Sequence, residues 1–185
     1  MLRVEEQNFI VHRTLAIEQL ESFAEGNFPP ILVDFPALTP CGASVYASMQ
    51  NASRDIAKII TQNEHSDMVE LHNQCPSLPT LGGLLLSYPI IYYSEDVSAR
   101  LLDASLDIYS IHTNHSESRV IMQFSGPPQL LDLINPEIAK MLKVWESRVA
   151  QLPPSLLDEW QIYTGAESHT FTIQTETRRV PIITL

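Results

Sequence analysis

The run from Ile31 to Gln62 constrains the fold more than any other part of the chain. Ile31-Leu32-Val33-Asp34-Phe35 follows Pro29-Pro30 and has little polar alternation. That pattern predicts a strand covered on both faces. Pro36 to Pro40 reads as the connecting loop. A long helix is expected next, with Thr39 as its N-cap and Pro40 at its first position. Val45, Met49, Ala52, Ile56 and Ile59 recur at intervals of three and four, the spacing of a core-facing stripe, and the helix should end near Gln62. Strand, short loop and long helix together begin an α/β layer.

The other elements follow from punctuation by 13 prolines. Thr14 to Glu25 predicts a short amphipathic helix ended by Gly26. Asn63 to Leu78 is polar and has no clear period. Leu84 to Tyr93 reads as a core strand in which Pro89 demands a bulge, an edge or a break. Ser94 to Ala104 is expected to form a short helix. Leu106 to Thr113 and Arg119 to Phe124 predict a hairpin with its loop at Asn114 to Ser118. Asn135 should cap a helix with Pro136 in its first turn and a stripe of Ile138, Leu142, Trp145, Val149 and Leu152, stopped by Pro153-Pro154. Ser155 to Trp160 gives a further turn or two of helix. Thr170 to Gln174 and Val180 to Leu185 form a second hairpin, turning near Glu176-Thr177, with the apolar C-terminus packed into the sheet. This order predicts an α+β fold: a mixed, largely antiparallel sheet with packed helices and one βα crossover near the N-terminus.

A chain of 185 residues with 44% hydrophobic and 18% charged residues is expected to form a single globular domain, 1–185, that needs neither disulfides nor a metal to fold. Cys41 and Cys75 are too few for a disulfide framework. The charge is one-sided: 11 Lys and Arg against 22 Asp and Glu, a net charge of −11. Such a surface repels phosphate backbones and anionic headgroups, which argues against extended nucleic acid and against a membrane surface. The most apolar stretch, Leu81 to Tyr93, is too short to span a bilayer. Met1-Leu2-Arg3-Val4-Glu5-Glu6 lacks the basic start and apolar run of a secretory signal. The expected setting is therefore soluble and cytoplasmic.

Four places carry candidate chemistry. The first is the turn from Asp34 to Ser44, at the carboxyl end of a strand where α/β folds place ligands. Thr39, Cys41, Gly42 and Ser44 are its candidate binding residues. Backbone amides of Cys41 and Gly42 would hold an anion, Asp34 would orient a hydroxyl or a water, and Cys41, in the first helical turn, would have a lowered thiol pKa and act as a nucleophile. Asp34 as an acceptor of backbone hydrogen bonds and Cys41 as a small buried hydrophobe are the plain alternatives. The second place is Cys75 to Gly83, whose prolines and glycines mark a shaped loop. Gly82 and Gly83 would wall the same ligand, or simply turn the chain into the core strand. The third is His112-Thr113-Asn114-His115 at the tip of the hairpin. His112 is a candidate base; as metal ligands the pair needs help from His65, His72 or Cys75 that nothing in the sequence supplies, so no metal is expected. The fourth is Arg178-Arg179, a bidentate anion grip or a charged guard against edge pairing. No glycine-rich phosphate motif is present, no phosphatase-type arginine follows Cys41 because position 47 is Ala47, and no motif calls for a cofactor.

The segment Cys75-Pro76-Ser77-Leu78-Pro79-Thr80-Leu81-Gly82-Gly83-Leu84-Leu85-Leu86-Ser87-Tyr88-Pro89-Ile90-Ile91-Tyr92-Tyr93 resembles part of an uncharacterised eukaryotic family described only as a domain of unknown function, whose human member carries a chromosome 1 open-reading-frame name. The leucine-glycine-glycine followed by tyrosine-proline and an apolar pair carries the resemblance. It implies an intracellular eukaryotic origin and brings no activity or site residues with it.

Two functions are consistent with these observations. One is a site for a small anionic ligand, such as a nucleotide or phosphometabolite, at 34–44, with hydrolysis or group transfer as the reaction class if turnover occurs. The other is a non-catalytic acidic module that docks a basic partner or forms a homodimer through exposed strand edges.

Overall fold

The computed structural model describes residues 1–4, 7–27, 29–71, 76–95, 100–113, 119–151, 153, 155 and 171–184; for residues 3, 4, 7–9, 101, 102 and 182–184 it describes the backbone only. The fold is α+β. Two compact units are present, Met1–Leu101 with Ile183–Leu185, and Leu102–Ile182. The described strands fall into three three-stranded sheets with antiparallel and parallel pairs. No described helix is long and apolar enough to cross a membrane.

The first unit opens with β1 (Leu2–Val4) and β2 (Gln7–Phe9), an antiparallel pair that β5 (Val69–Leu71) extends in parallel beside β1. Helix α1 (Arg13–Ala24) is capped by His12, whose Nδ1 accepts from the Leu15 amide at 3.4 Å. It ends as the sequence predicts. Gly26 takes φ 76°, and the amides of Gly26 and Asn27 donate to the carbonyls of Phe23 and Ser22 at 3.0 Å each, which closes the last turn. Strand β3 (Ile31–Asp34) follows, and α2 (Ala43–Gln62) packs on α1. The stripe of α2 is rotated slightly from the predicted one: Met49, Ser53, Ile56, Ala57 and Ile60 are buried, while Val45, Ala52 and Ile59 are half-buried. Arg54 and Gln50 of α2 donate to the carbonyls of Ala24 and Phe23 at the end of α1. Leu20, Phe23, Leu32, Met49, Ile56, Ile60, Leu81 and Ile91 belong to one core.

The predicted strand 84–93 is instead a helix and a strand. Helix α3 covers Leu78–Leu85 and β6 covers Ile90–Tyr93, with Pro89 at the break. Leu78, Leu81, Leu84 and Leu85 recur at helical spacing. Ser87, at φ 54°, ends α3: the amides of Ser87 and Tyr88 donate to the carbonyls of Leu84 and Gly83 at 3.1 and 2.9 Å. Thr80, fully buried, donates its hydroxyl to the Tyr92 carbonyl at 2.8 Å and so ties α3 to β6. Strand β6 pairs with β3 in parallel, Ile31 opposite Ile90 through Asp34 opposite Tyr93. This is the expected crossover, with α2 and α3 inside it.

In the second unit β7 (Arg100–Thr113) and β8 (Val120–Gly126) form the predicted hairpin, with a bulge between Ile111 and His112. Arg100 to Ala104 therefore belong to a strand, not to the helix expected at 94–104; positions 96–99 lie outside the described residues. Helix α4 covers Leu131–Ala150 after a single 3-10 turn at Pro128–Leu130. It starts ahead of Asn135, so Pro136 stands inside it and forgoes one backbone bond. Ile134, 0% exposed, shows why: the core stripe of Ile134, Ile138, Met141 and Val149 begins before the local cap signal. The hairpin expected at the C-terminus is one continuous strand, β9 (Phe171–Thr184), beside β7. Thr177 Oγ1 donates to Asp107 Oδ1 at 2.7 Å, and the Arg179 guanidinium grips both carboxylate oxygens of Asp103. Numbers thus run in opposite order along the two strands, an antiparallel arrangement. The turn expected near Glu176-Thr177 does not exist. Of the helical turns expected at Ser155 to Trp160, Ser155 is helical and 156–160 lie outside the described residues.

Candidate functional site: a cleft at the carboxyl ends of two parallel strands

After Asp34 the chain does not swing directly into α2. Residues Phe35 to Leu38 form a tight turn, with Leu38 at φ 57° and its amide donating to the Asp34 carbonyl at 2.8 Å. The chain then runs back along β3 as β4 (Thr39–Pro40), Asp34 opposite Thr39 and Val33 opposite Pro40. Helix α2 begins at Ala43 with Gly42 as its N-cap. Thr39 is therefore a strand residue and not the helix cap, and Pro40 is not the first helical residue.

Pro40 has no N–H, so β4 cannot continue as a regular partner of β3. Two groups complete the ladder. The Cys41 amide donates to the Leu32 carbonyl at 2.8 Å. The Tyr46 hydroxyl accepts from the Leu32 amide at 2.8 Å and donates to the Pro30 carbonyl at 2.9 Å. Tyr46 thereby fixes the first turns of α2 against the start of β3. Its role was invisible as a motif; its one sequence signal is a tyrosine next to Val45 on the core-facing side of a strong helix.

Between these elements lies an open cleft of about 420 Å³. Asp34 and Phe35 from the end of β3, Thr39 and Pro40 from β4, Cys41, Gly42 and Val45 from the entry to α2, and Tyr93, Ser94 and Glu95 from the end of β6 line it. The structure thus brings together Asp34, Thr39, Cys41 and Gly42 of the predicted residues. It adds Tyr93 and Glu95, which sequence reading missed because Ser94 looked like the start of a helix. The Phe35 amide donates to the Tyr93 carbonyl at 2.8 Å and closes the floor between the strands. The Phe35 ring is buried and meets Tyr92 edge-on, centroids 6.1 Å apart.

Other predicted residues lie elsewhere. Ser44 is exposed in the first turn of α2 and is not in the lining. Gly82 and Gly83 are helical. Gly83 is buried against Ile91, where an added Cβ would come within 2.9 Å of Cγ1, so it serves helix–strand contact. His112 is on β7 in the second unit, opposite Val120 near the end of the hairpin, but it is buried at 8% exposed. His65 is exposed beside Glu64. Cys75, His72 and His115 lie outside the described residues. Among the described residues no group of three His, Cys, Asp or Glu is placed to hold a metal. Arg178 and Arg179 are engaged by Glu176 and Asp103.

The charge in the cleft is negative. Among the described residues of the lining, Asp34 and Glu95 are acidic and none is Lys, Arg or His. Burial, and then Asp34, push the Cys41 thiol up to about 11 from its ordinary 9.0. This reverses the lowered thiol pKa expected from a helix start, because desolvation and a neighbouring carboxylate both oppose the thiolate. The Tyr93 hydroxyl donates to Glu95 Oε1 at 3.5 Å, and its pKa is also raised, by burial first and then by Glu95. The Cys41 amide, expected to hold an anion, is committed to Leu32. What the cleft offers is carboxylate acceptors, a neutral thiol and an aromatic wall.

No curated protein sequence and no solved structure matches the chain. A family model matches residues 1–160, which takes in every described residue before β9. As the segment 75–93 led us to expect, the chain belongs to an uncharacterised family, the one described as Domain of unknown function (DUF4504).

Proposed function

We propose that the chain is a non-catalytic binding module whose cleft takes a cationic group, an amine or a guanidinium. The observation that carries this reading is that Asp34 and Glu95 both line the cleft, and that none of its described lining residues is basic. An ammonium or guanidinium placed there gains two charge-assisted acceptors and the ring of Tyr93. A volume of about 420 Å³ suits a small ligand or a single long side chain. The net charge of −11 draws cations toward the cleft from a distance.

The same charges oppose a nucleotide or phosphometabolite in this cleft. They also oppose the hydrolase or transferase reading, since the thiol that would serve as nucleophile is held neutral. Free amines and the lysine or arginine of a basic partner share the required chemistry. The test follows backbone amide signals of Asp34, Tyr93 and Glu95 by NMR during titration with butylamine, methylguanidinium, a Gly-Lys-Gly and a Gly-Arg-Gly peptide, and inorganic phosphate. Saturable shifts with the cations, lost in Asp34→Asn/Glu95→Gln, are expected. Tighter binding of the peptides than of the amines assigns the cleft to a protein partner. Shifts with phosphate alone restore the anionic ligand, and no shift with any probe refutes a binding role for the cleft.

A further inference from the structure

We infer that β9 pairs with a second copy of this chain along its outer edge, in an antiparallel ladder centred on Thr177. The sheet order is β8-β7-β9, and no described strand lies beyond β9. An edge of this length presents a row of backbone donors and acceptors to any strand that can align with it. Residues 172–179 are exposed, as an edge without a cover would be.

The charges of β9 select the partner. Glu176 and Arg178 are two apart, share one face of the strand and form an ion pair at 2.7 Å, with side chains 61% and 58% exposed. In a two-fold pairing about Thr177, Glu176 faces Arg178 of the other copy, Arg178 faces its Glu176, and Thr177 faces Thr177. Both kinds of cross-strand pair are favourable. A two-fold axis perpendicular to the sheet keeps each face on its own side, so only registers centred on a residue are allowed. Centring on Arg178 sets Arg178 against Arg178; centring on Glu176 sets Glu176 against Glu176. Each of these neighbours is penalised by like charges. The pattern is self-complementary in one register, the property that an interface between identical copies requires. Pro181 has no N–H and ends the ladder after Val180, opposite Gln174.

So short a ladder covers less than the ~1,200–2,000 Å² of a standard interface, so association is weak and is measured on the full chain by sedimentation velocity up to about 0.2 mM at low salt. A concentration-dependent dimer is expected. Arg178→Glu and Glu176→Arg each set like charges across both pairs and should weaken it by roughly tenfold or more. An equimolar mixture of the two variants should associate again, as should the double variant Glu176→Arg/Arg178→Glu, because each restores opposite charges. Far-UV circular dichroism checks that the variants fold; both sites are exposed. A monomer at the highest concentration overturns the proposal. So does a dimer indifferent to Arg178→Glu, or a mixture that fails to associate.

Discussion

Gly83→Ala sets two effects of opposite sign against each other. Inside α3, alanine is favoured over glycine by about 0.8–1 kcal/mol. A Cβ at that position, however, would lie 2.9 Å from Ile91 Cγ1, 3.2 Å from Cγ2 and 3.3 Å from Cδ1. Cγ1 and Cγ2 branch directly from the β-carbon of Ile91, which is 2% exposed and whose backbone pairs opposite Leu32. Turning χ1 of a β-branched residue replaces one carbon in the gap with another. Relief must therefore come from α3 moving off β6, which Thr80 resists through its bond to the Tyr92 carbonyl. Overpacking of this kind costs about 1–3 kcal/mol and outweighs the propensity gain. A net loss of about 1 kcal/mol or more is expected. Tryptophan fluorescence is the wrong assay, because Trp145 and Trp160 both fall within Leu102–Ile182. Native-state hydrogen exchange at the Leu32 and Ile91 amides reports on the first unit. The double variant isolates the cause. In an Ile91→Ala background the obstructing carbons are gone, and Gly83→Ala should turn stabilising by about 0.5–1 kcal/mol. A Gly83→Ala variant that is stabilised in the native background would refute the argument.

Tyr46→Phe removes the group that satisfies the Leu32 amide and the Pro30 carbonyl, and should lower the stability of the first unit by about 1–3 kcal/mol in the same exchange experiment. In a Cys75→Ser background, alkylation of Cys41 by iodoacetamide should be slow at pH 7–8 and rise through pH 9–11, since the folded thiol ionises near 11 rather than 9.0; Asp34→Asn should shift the profile to lower pH. A reactivity maximum near neutral pH would contradict this. Thr177→Val takes the hydroxyl from Asp107, which is 6% exposed, and should cost the second unit about 1–3 kcal/mol by tryptophan-detected urea unfolding; no change would show that the 2.7 Å bond contributes nothing net.

Elements with a strong local period were legible in the sequence. Helices α1 and α2, strand β3 and the β7–β8 hairpin stand within a residue or a few of their expected bounds, apart from the longer start of β7. The misreadings have separate causes. Leu78 to Tyr93 is apolar almost throughout, and periodicity cannot divide such a run into helix and strand. Gly82-Gly83 looked like a loop because two glycines oppose helix locally; the close approach to Ile91 that reverses this for Gly83 is a tertiary fact. Strand β9 is exposed over 172–179, so it lacks the alternation that marks a half-buried strand, and its polar centre looked like a turn. Strands β1, β2 and β5 have three residues each, too few to show a period.

The site divides along the same line. Its first half, Asp34 to Gly42, could be read because a ligand position at the carboxyl end of a buried strand is a property of local chain order. Its second half, Tyr93 to Glu95, depends on the register of β6 against β3, which no local pattern states. Two backbone bonds set that register: the Ile31 amide to the Pro89 carbonyl at 2.9 Å, and the Phe35 amide to the Tyr93 carbonyl at 2.8 Å. A slip of two residues would keep every side chain on its own face but carry Glu95 about 6.6 Å along the strand relative to Asp34. The two carboxylates would then no longer share a cleft, and the Tyr93 phenol would lose the part of its field that comes from Asp34. The coming together of two carboxylates, on which the cation proposal rests, is therefore set by the residue that starts β6, and Pro89, by breaking the apolar run, sets that start.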